Sequence, residues 1–143
     1  EVDYTKAVEL FEQAASQDND RAHYQLARCY EYGLGVEVDS VEAVENYYYA
    51  AELGNVDAMY KIAVYLYTGN NLLKQDYKSA LKYYDKVLKK HPDDNTAARN
   101  AQLAARKMRN VKLEKKYLEL IAKYGSERDR LMAQGRLDAL GSK

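Results

Sequence analysis

In 143 residues the chain has one cysteine, one proline, two histidines and no tryptophan. A lone Cys29 cannot close an internal disulfide, and His23 and His91 are too few for a metal cluster of the usual spacing. Cys29 lies in a helical stretch beside Ala27 and Tyr30, with no histidine close by in sequence. It therefore reads as a small packed hydrophobe rather than a nucleophile. With a single proline and no glycine-serine tract, nothing reads as a flexible linker. No apolar run approaches the length of a membrane span and no signal-peptide pattern is present, so a soluble chain is expected. The chain opens at Glu1 without an initiating methionine, as a processed or excised piece would, which leaves room for a lost targeting segment. Its compartment is not written in these residues.

Catalytic signatures are missing too. There is no phosphate loop, nucleophile elbow or zinc motif. Asp93 and Asp94 lie at a helix start, where capping and dipole roles are expected of carboxylates. His91 sits beside Pro92 in a turn, and His23 falls among Ala22, Tyr24 and Leu26, where a packed side chain is the reading. No enzyme activity, cofactor or metal is expected.

What the chain does have is internal repetition. Ala7, Val8, Phe11, Ala14, Ala15, Asn19, Ala22, Tyr24, Leu26, Ala27 and Gly33 recur 36 residues later as Ala43, Val44, Tyr47, Ala50, Ala51, Asn55, Ala58, Tyr60, Ile62, Ala63 and Gly69. From Asp76 the spacing becomes 37, with Asp76, Ala80, Leu81 and Tyr84 answering Asp39, Ala43, Val44 and Tyr47. A fixed period of this size marks a supersecondary unit that buries its apolar face by stacking on its neighbour. With 47% hydrophobic residues the chain can build such a core.

The apolar residues step by three and four, the helical period. This predicts helices over about 3–16, 20–32, 40–53, 56–68, 76–90 and 94–109. Two more follow, one carrying Leu113, Tyr117, Leu120, Ile121 and Tyr124, the other Leu131, Met132, Leu137 and Leu140. Gly33 and Gly35 end the second helix, Asp39 with Glu42 signs the start of the third, and Pro92 starts but cannot continue a helix. Small residues in rows, Ala7, Ala43 and Ala80 in one and Ala27 and Ala63 in another, let helix axes approach closely. The expected fold is all-α: an α-α superhelix, or solenoid, of antiparallel helix pairs with about eight helices. We expect one domain over 1–143, with repeats at about 4–39, 40–75 and 76–110 and a divergent helical cap at 111–143.

The formal net charge of zero hides a polarity. Residues 1–73 hold four basic residues (Lys6, Arg21, Arg28, Lys61) against thirteen acidic ones, and residues 74–143 hold eighteen against nine. In a linear stack these halves become two ends, which implies a dipole along the long axis. Solubility accounts for this simply. An acidic partner at the basic end, or head-to-tail association between copies, is the sharper alternative.

The stretch Ala22 to Tyr30, ending in Gly33-Leu34-Gly35-Val36 and Asp39, resembles a Sel1-like repeat, as do residues 22–51 as a whole. Val41-Glu42-Ala43 departs from the family's lysine, and Gly69-Asn70-Asn71-Leu72 replaces its glycine loop. From Asp76, the run Ala80-Leu81-Lys82-Tyr83-Tyr84 with Pro92 is more similar to the related tetratricopeptide repeat. The resemblance covers about 4–106. It implies that the first helix of each repeat lines a concave face, here residues 21–32, 57–68 and 96–108, with the chain beginning on a second helix. It also places Tyr24, Tyr60 and Arg99 in one groove row, Arg28, Val64 and Leu103 in the next, and Glu31, Tyr67 and Arg106 in a third. Tyrosine offers large area, a polar tip and little entropy to lose, which suits peptide recognition. Tyr30, Tyr47 and Tyr84 are assigned to packing, and Tyr24, Tyr60 and Tyr67 to binding and packing alike. The pattern of the chaperone-tail carboxylate clamp is not present in order.

The function the resemblance implies is that of a non-catalytic scaffold or adaptor. It would bind another protein, as a peptide or partner helix, in the concave groove. The alternative is nucleic-acid or other polyanion binding through Arg99, Arg106, Lys107, Arg109, Lys112, Lys115 and Lys116, whose affinity would fall steeply with salt. Solvated helix surface explains the same cations more simply.

Overall fold

The computed structural model describes residues 3–141. The opening at Glu1 and the last two residues of the expected cap, Ser142 and Lys143, lie outside them. Eight helices and no strand are present among the described residues: α1 (Tyr4–Ala15), α2 (Asp20–Tyr32), α3 (Ser40–Glu52), α4 (Val56–Thr68), α5 (Tyr77–Lys90), α6 (Asn95–Lys107), α7 (Val111–Tyr124) and α8 (Glu127–Gly141). Each boundary lies within a few residues of the expected one. Asp3, Asn19, Asp39, Asp76, Asp94 and Asn110 are N-caps whose side chains accept hydrogen bonds from first-turn N–H groups, which is why α1, α5 and α6 begin one residue later than expected, after Asp3, Asp76 and Asp94. Pro92 is not in the first turn of α6. It sits in the turn between the C-cap His91 and the N-cap Asp94, where its lack of an N–H leaves no helical bond unmade.

The described residues fall into two compact units, one within Glu1–Ile62 with Asn71–Leu73 and the other within Ala63–Asn70 with Lys74–Lys143. In the first, α1 packs on α2 and α2 on α3. Val8, Ala15, Ala22, Leu26 and Cys29 form a buried cluster, flanked by half-buried Phe11, Ala14, Tyr30, Leu34 and Val36. Gly33 closes α2 in the left-handed conformation at φ 69°, and Gly35 follows at φ 75°. Gly35 also meets the start of α1 so closely that a Cβ there would lie 2.4 Å from the Tyr4 carbonyl carbon. Both the backbone angle and the space demand glycine.

In the second unit, α6 packs against α5 and α7, and α7 against α8. Ala97, Ala98, Ala101, Ala104 and Ala105 of α6 are all buried, so a stripe of methyl groups lets both neighbours approach its backbone. Fully buried Val87 and Tyr84 of α5 and Tyr117 of α7 supply the bulk around that stripe. The apolar face expected of α8 is largely open. Leu131 and Met132 are exposed, Leu137 and Leu140 half-buried, and Ala133 is the buried residue. No helix among the described residues is long and apolar enough to cross a membrane.

Candidate surfaces on α2, α4 and α6

Four of the nine residues assigned to a groove lie in the first unit. Tyr24 on α2 is half-buried and stands edge-on to Tyr47 of α3, ring centroids 5.7 Å apart. One turn on, Arg28 is exposed with Nη1 3.4 Å from Gln25 Oε1. Around it Arg21, Tyr24, Gln25, Asn55 and Asp57 border a shallow polar hollow of about 230 Å³. Glu31 has a structural duty: its carboxylate accepts a hydrogen bond from the hydroxyl of fully buried Tyr47 and an ion pair from Lys61 Nζ at 3.1 Å. Burial pushes the Lys61 ammonium down, but the bond it donates to Glu31 and that carboxylate's charge outweigh this and hold the group above its ordinary range. Lys61 also lies over the rings of Tyr32 and Tyr47, at 5.7 and 5.8 Å. Tyr60 is half-buried on the same turn of α4.

His23 and Cys29 serve packing. A hydrogen bond of 2.9 Å joins His23 Nδ1 and Asn46 Oδ1, linking α2 to α3. Burial raises the thiol pKa of Cys29, keeping it a protonated, inert hydrophobe.

In the second unit, Val64 and Tyr67 are half-buried, and Tyr67 meets Tyr77 edge-on at 5.3 Å. Arg99, Leu103 and Arg106 stand exposed on one edge of α6, opposite its buried alanines, because steps of four and three residues return to the same helical face. They open onto a cleft of about 230 Å³ that α7 and α8 complete. Its floor is Leu118 and Ile121 of α7 with Ala133 of α8, all buried, and Met132 forms the facing rim.

The carboxylates in and behind the cleft wall already have partners. Glu114, 3% exposed, receives Arg136 Nε at 2.8 Å, Arg136 Nη2 at 3.4 Å and Gln102 Nε2 at 3.0 Å. Burial pushes its carboxyl up, but the hydrogen bonds from Arg136 and Gln102 prevail and hold it below the usual carboxylate range. Asp129 accepts from Ser126 Oγ at 2.9 Å and Asn95 Nδ2 at 2.8 Å, and these bonds lower its pKa, with the Arg99 charge acting in the same sense. The guanidinium groups of Arg99 and Arg106 have no hydrogen-bond or ion-pair partner among the described residues. The part played by α8, through Arg136 and Met132, was invisible in sequence because the repeat pattern ends before it.

The family model for the Sel1 repeat matches residues 1–19, 20–55 and 56–86. The second segment spans α2 with α3, and the third begins at α4. A component of an ERAD-associated E3 ubiquitin-protein ligase from Arabidopsis thaliana is 36% identical over 85 residues, 59% of this chain and 14% of that protein. Chitin synthase regulatory factor 3 of Schizosaccharomyces pombe is 29% identical over 96 residues, 67% of this chain and 10% of that protein. The chain thus spans only a small part of the curated relatives it matches. Among solved structures, a Sel1 repeat protein from Oxalobacter formigenes superposes with a TM-score of 0.76 at 25% identity, over 90% of this chain and 54% of that one. A protective antigen of uropathogenic Escherichia coli displaying an SLR fold gives 0.73 at 26% identity, over 96% and 30%. With eight helices among the described residues and solved relatives built the same way, the fold is the all-α solenoid of helix pairs, and the chain belongs to the Sel1 repeat family.

Proposed function

We propose that this chain is a non-catalytic interaction module that holds a peptide or helix of another protein on the exposed sides of its repeat helices. The carrying observation is the edge of α6, where Arg99, Leu103 and Arg106 stand exposed on an open cleft while the helix face that carries the alanines is buried. A fold alone does not name a function. Here, however, the relatives' names describe a component of an assembly and a regulatory factor, which fits a part that works by docking. Tyr24, Arg28, Glu31 and Tyr60 in one unit, and Val64, Tyr67, Arg99, Leu103 and Arg106 in the other, are the residues assigned to contact. Glu31 contributes by holding Tyr47 and Lys61 in place.

Affinity capture with the intact chain beside a Tyr60→Ala/Arg99→Ala variant tests this. Partners should be lost from the variant while its helical melt stays in place. Equal loss of fold and binding would make these side chains structural and end the reading.

A second reading, polyanion binding, is favoured by the hollow of about 460 Å³ lined by Leu103, Arg106, Lys107 and Arg109. Arg106 and Lys107 also lie in the last turn of α6, where cations complement the helix dipole. A gel shift at low salt decides it: no binding there ends this alternative.

A further inference from the structure

We propose that the cleft between α6, α7 and α8 is a docking slot for an acidic peptide segment of a partner protein, one that carries a large apolar side chain between two carboxylates. The proposal rests on the interaction-module reading and names the partner chemistry for one of its surfaces.

Three observations fix that chemistry. The first is charge. The carboxylate that lines the cleft, Asp129, is already engaged by Ser126 and Asn95, and buried Glu114 is taken up by two other lining residues, Arg136 and Gln102. The guanidinium groups of Arg99 and Arg106 are left exposed with no hydrogen-bond or ion-pair partner among the described residues, and exposed Lys107 and Arg109 extend the same sign beyond them. An incoming carboxylate meets guanidinium groups whose planar donors suit bidentate pairing.

The second is the apolar centre. Leu103 lies between the two arginines, 42% exposed, and faces Met132, 64% exposed, across a floor of Leu118, Ile121 and Ala133. Two large apolar side chains held open to solvent over a buried apolar floor form a socket that gains by being filled. At about 230 Å³ the socket is smaller than the roughly 300–1,000 Å³ typical of small-molecule pockets. It suits one side chain of a peptide.

The third is spacing. Arg99 and Arg106 are seven residues apart on one helix, about 10 Å along its axis at 1.5 Å per residue. An extended peptide rises about 3.3 Å per residue, so acidic residues three apart span the same distance, with an apolar residue between them over the socket. Arg136 serves as a wall, since Glu114 holds it in place.

Fluorescence anisotropy with the full chain tests this. The probes are fluorescein-labelled nonapeptides with glutamates three residues apart flanking leucine, phenylalanine or methionine. The controls are the same peptides with glutamine for glutamate or glycine for the apolar residue, an oligoglutamate, and a short DNA duplex. Saturable binding is expected for at least one apolar-bearing acidic peptide. Arg106→Glu or Arg99→Glu should weaken it about tenfold or more, the loss of a charge-assisted bond, with the helical melt unchanged. A peptide with lysines for glutamates should in turn bind the Arg99→Glu/Arg106→Glu chain. Three results would overturn the proposal: no saturable binding by any of the three peptides, affinity insensitive to both charge reversals, or equal binding of oligoglutamate or DNA. In parallel capture, partners that survive Arg99→Glu/Arg106→Glu but are lost with Tyr60→Ala would overturn this slot alone and leave the module reading standing.

Discussion

Both units use the same device, a fully buried tyrosine whose hydroxyl donates to a carboxylate that a lysine also pairs, but they set it in different surroundings. In the first, Tyr47 of α3 reaches Glu31 of α2, and Lys61 completes the set with its side chain 28% exposed. In the second, Tyr117 of α7 donates to Asp85 of α5 at 2.7 Å, and Lys116 stands 3.3 Å from the same oxygen, 53% exposed. Burial, the bond to Asp85 and its charge all raise the Tyr117 pKa, so its hydroxyl stays a donor throughout the stable range. The wetter lysine competes with water and is screened by salt, whereas the drier one holds its partner more firmly. The units differ further in how their helices approach. Both bury small alanines, but the first adds a glycine, Gly35, at a tight crossing of backbones, whereas the second gathers five alanines on the one helix α6.

The largest expected effect breaks the glycine device. Gly35→Ala should cost about 2–4 kcal/mol, combining the left-handed penalty with overpacking against the Tyr4 backbone. Gly135→Ala in α8, where an added Cβ meets nothing, should instead stabilise by about 0.5–1 kcal/mol. A pair of thermal melts checks both signs. Next, Ala101→Leu in the stripe of α6 should cost about 1–3 kcal/mol by urea titration, because neighbours close in on both sides. Ala43→Leu in α3 belongs in the same range, and no loss at either site would remove the close-approach assignment.

A sharper probe is Tyr47→Phe beside Tyr117→Phe. Each loses one hydrogen bond to a charged group, about 1–2 kcal/mol, with the greater loss at Tyr47 because its acceptor is better shielded. Raising salt should narrow the stability of Lys116→Met against the parent chain and leave that of Lys61→Met nearly unchanged.

The smallest effect is in pH. Glu114 titrates below its unfolded value, so its contribution is complete above the unfolded pKa and fades as pH falls through the folded one. Amide exchange in α7 and α8 should therefore quicken toward acid, and Glu114→Gln should flatten that dependence. Lys61 titrates above its unfolded value, so its contribution holds below that value and is lost only as pH rises through the folded one.

Helices were legible because their signals are local. Asp39 accepts from the N–H groups of Val41 and Glu42, and Gly33 takes the left-handed cap, each within reach of a few residues. The end of α6 was less so, because Arg109 adopts φ 56° without being glycine. Arg99, Leu103 and Arg106 are assigned to a binding face through the resemblance to the repeat family, one to each groove row. The cleft they border could not be read in this way, since it depends on Arg136 meeting Glu114 across 22 residues and on α8, whose exposed Leu131 and Met132 run against the apolar pattern that marked the helix. In the same way, Glu31 looked like a surface contact because neither Tyr47 nor Lys61 lies near it in sequence.

The approach of Gly35 to the first turn of α1 bears on how the protein can vary. Connections between helices usually absorb added residues readily, since they run over open surface. Between α2 and α3 there is no such slack: lengthening the Gly33–Val36 bend would push a backbone against a backbone and lever the first helix off its neighbour. New length should be tolerated at the far end of α8, around Gly141, long before it is accepted at this bend.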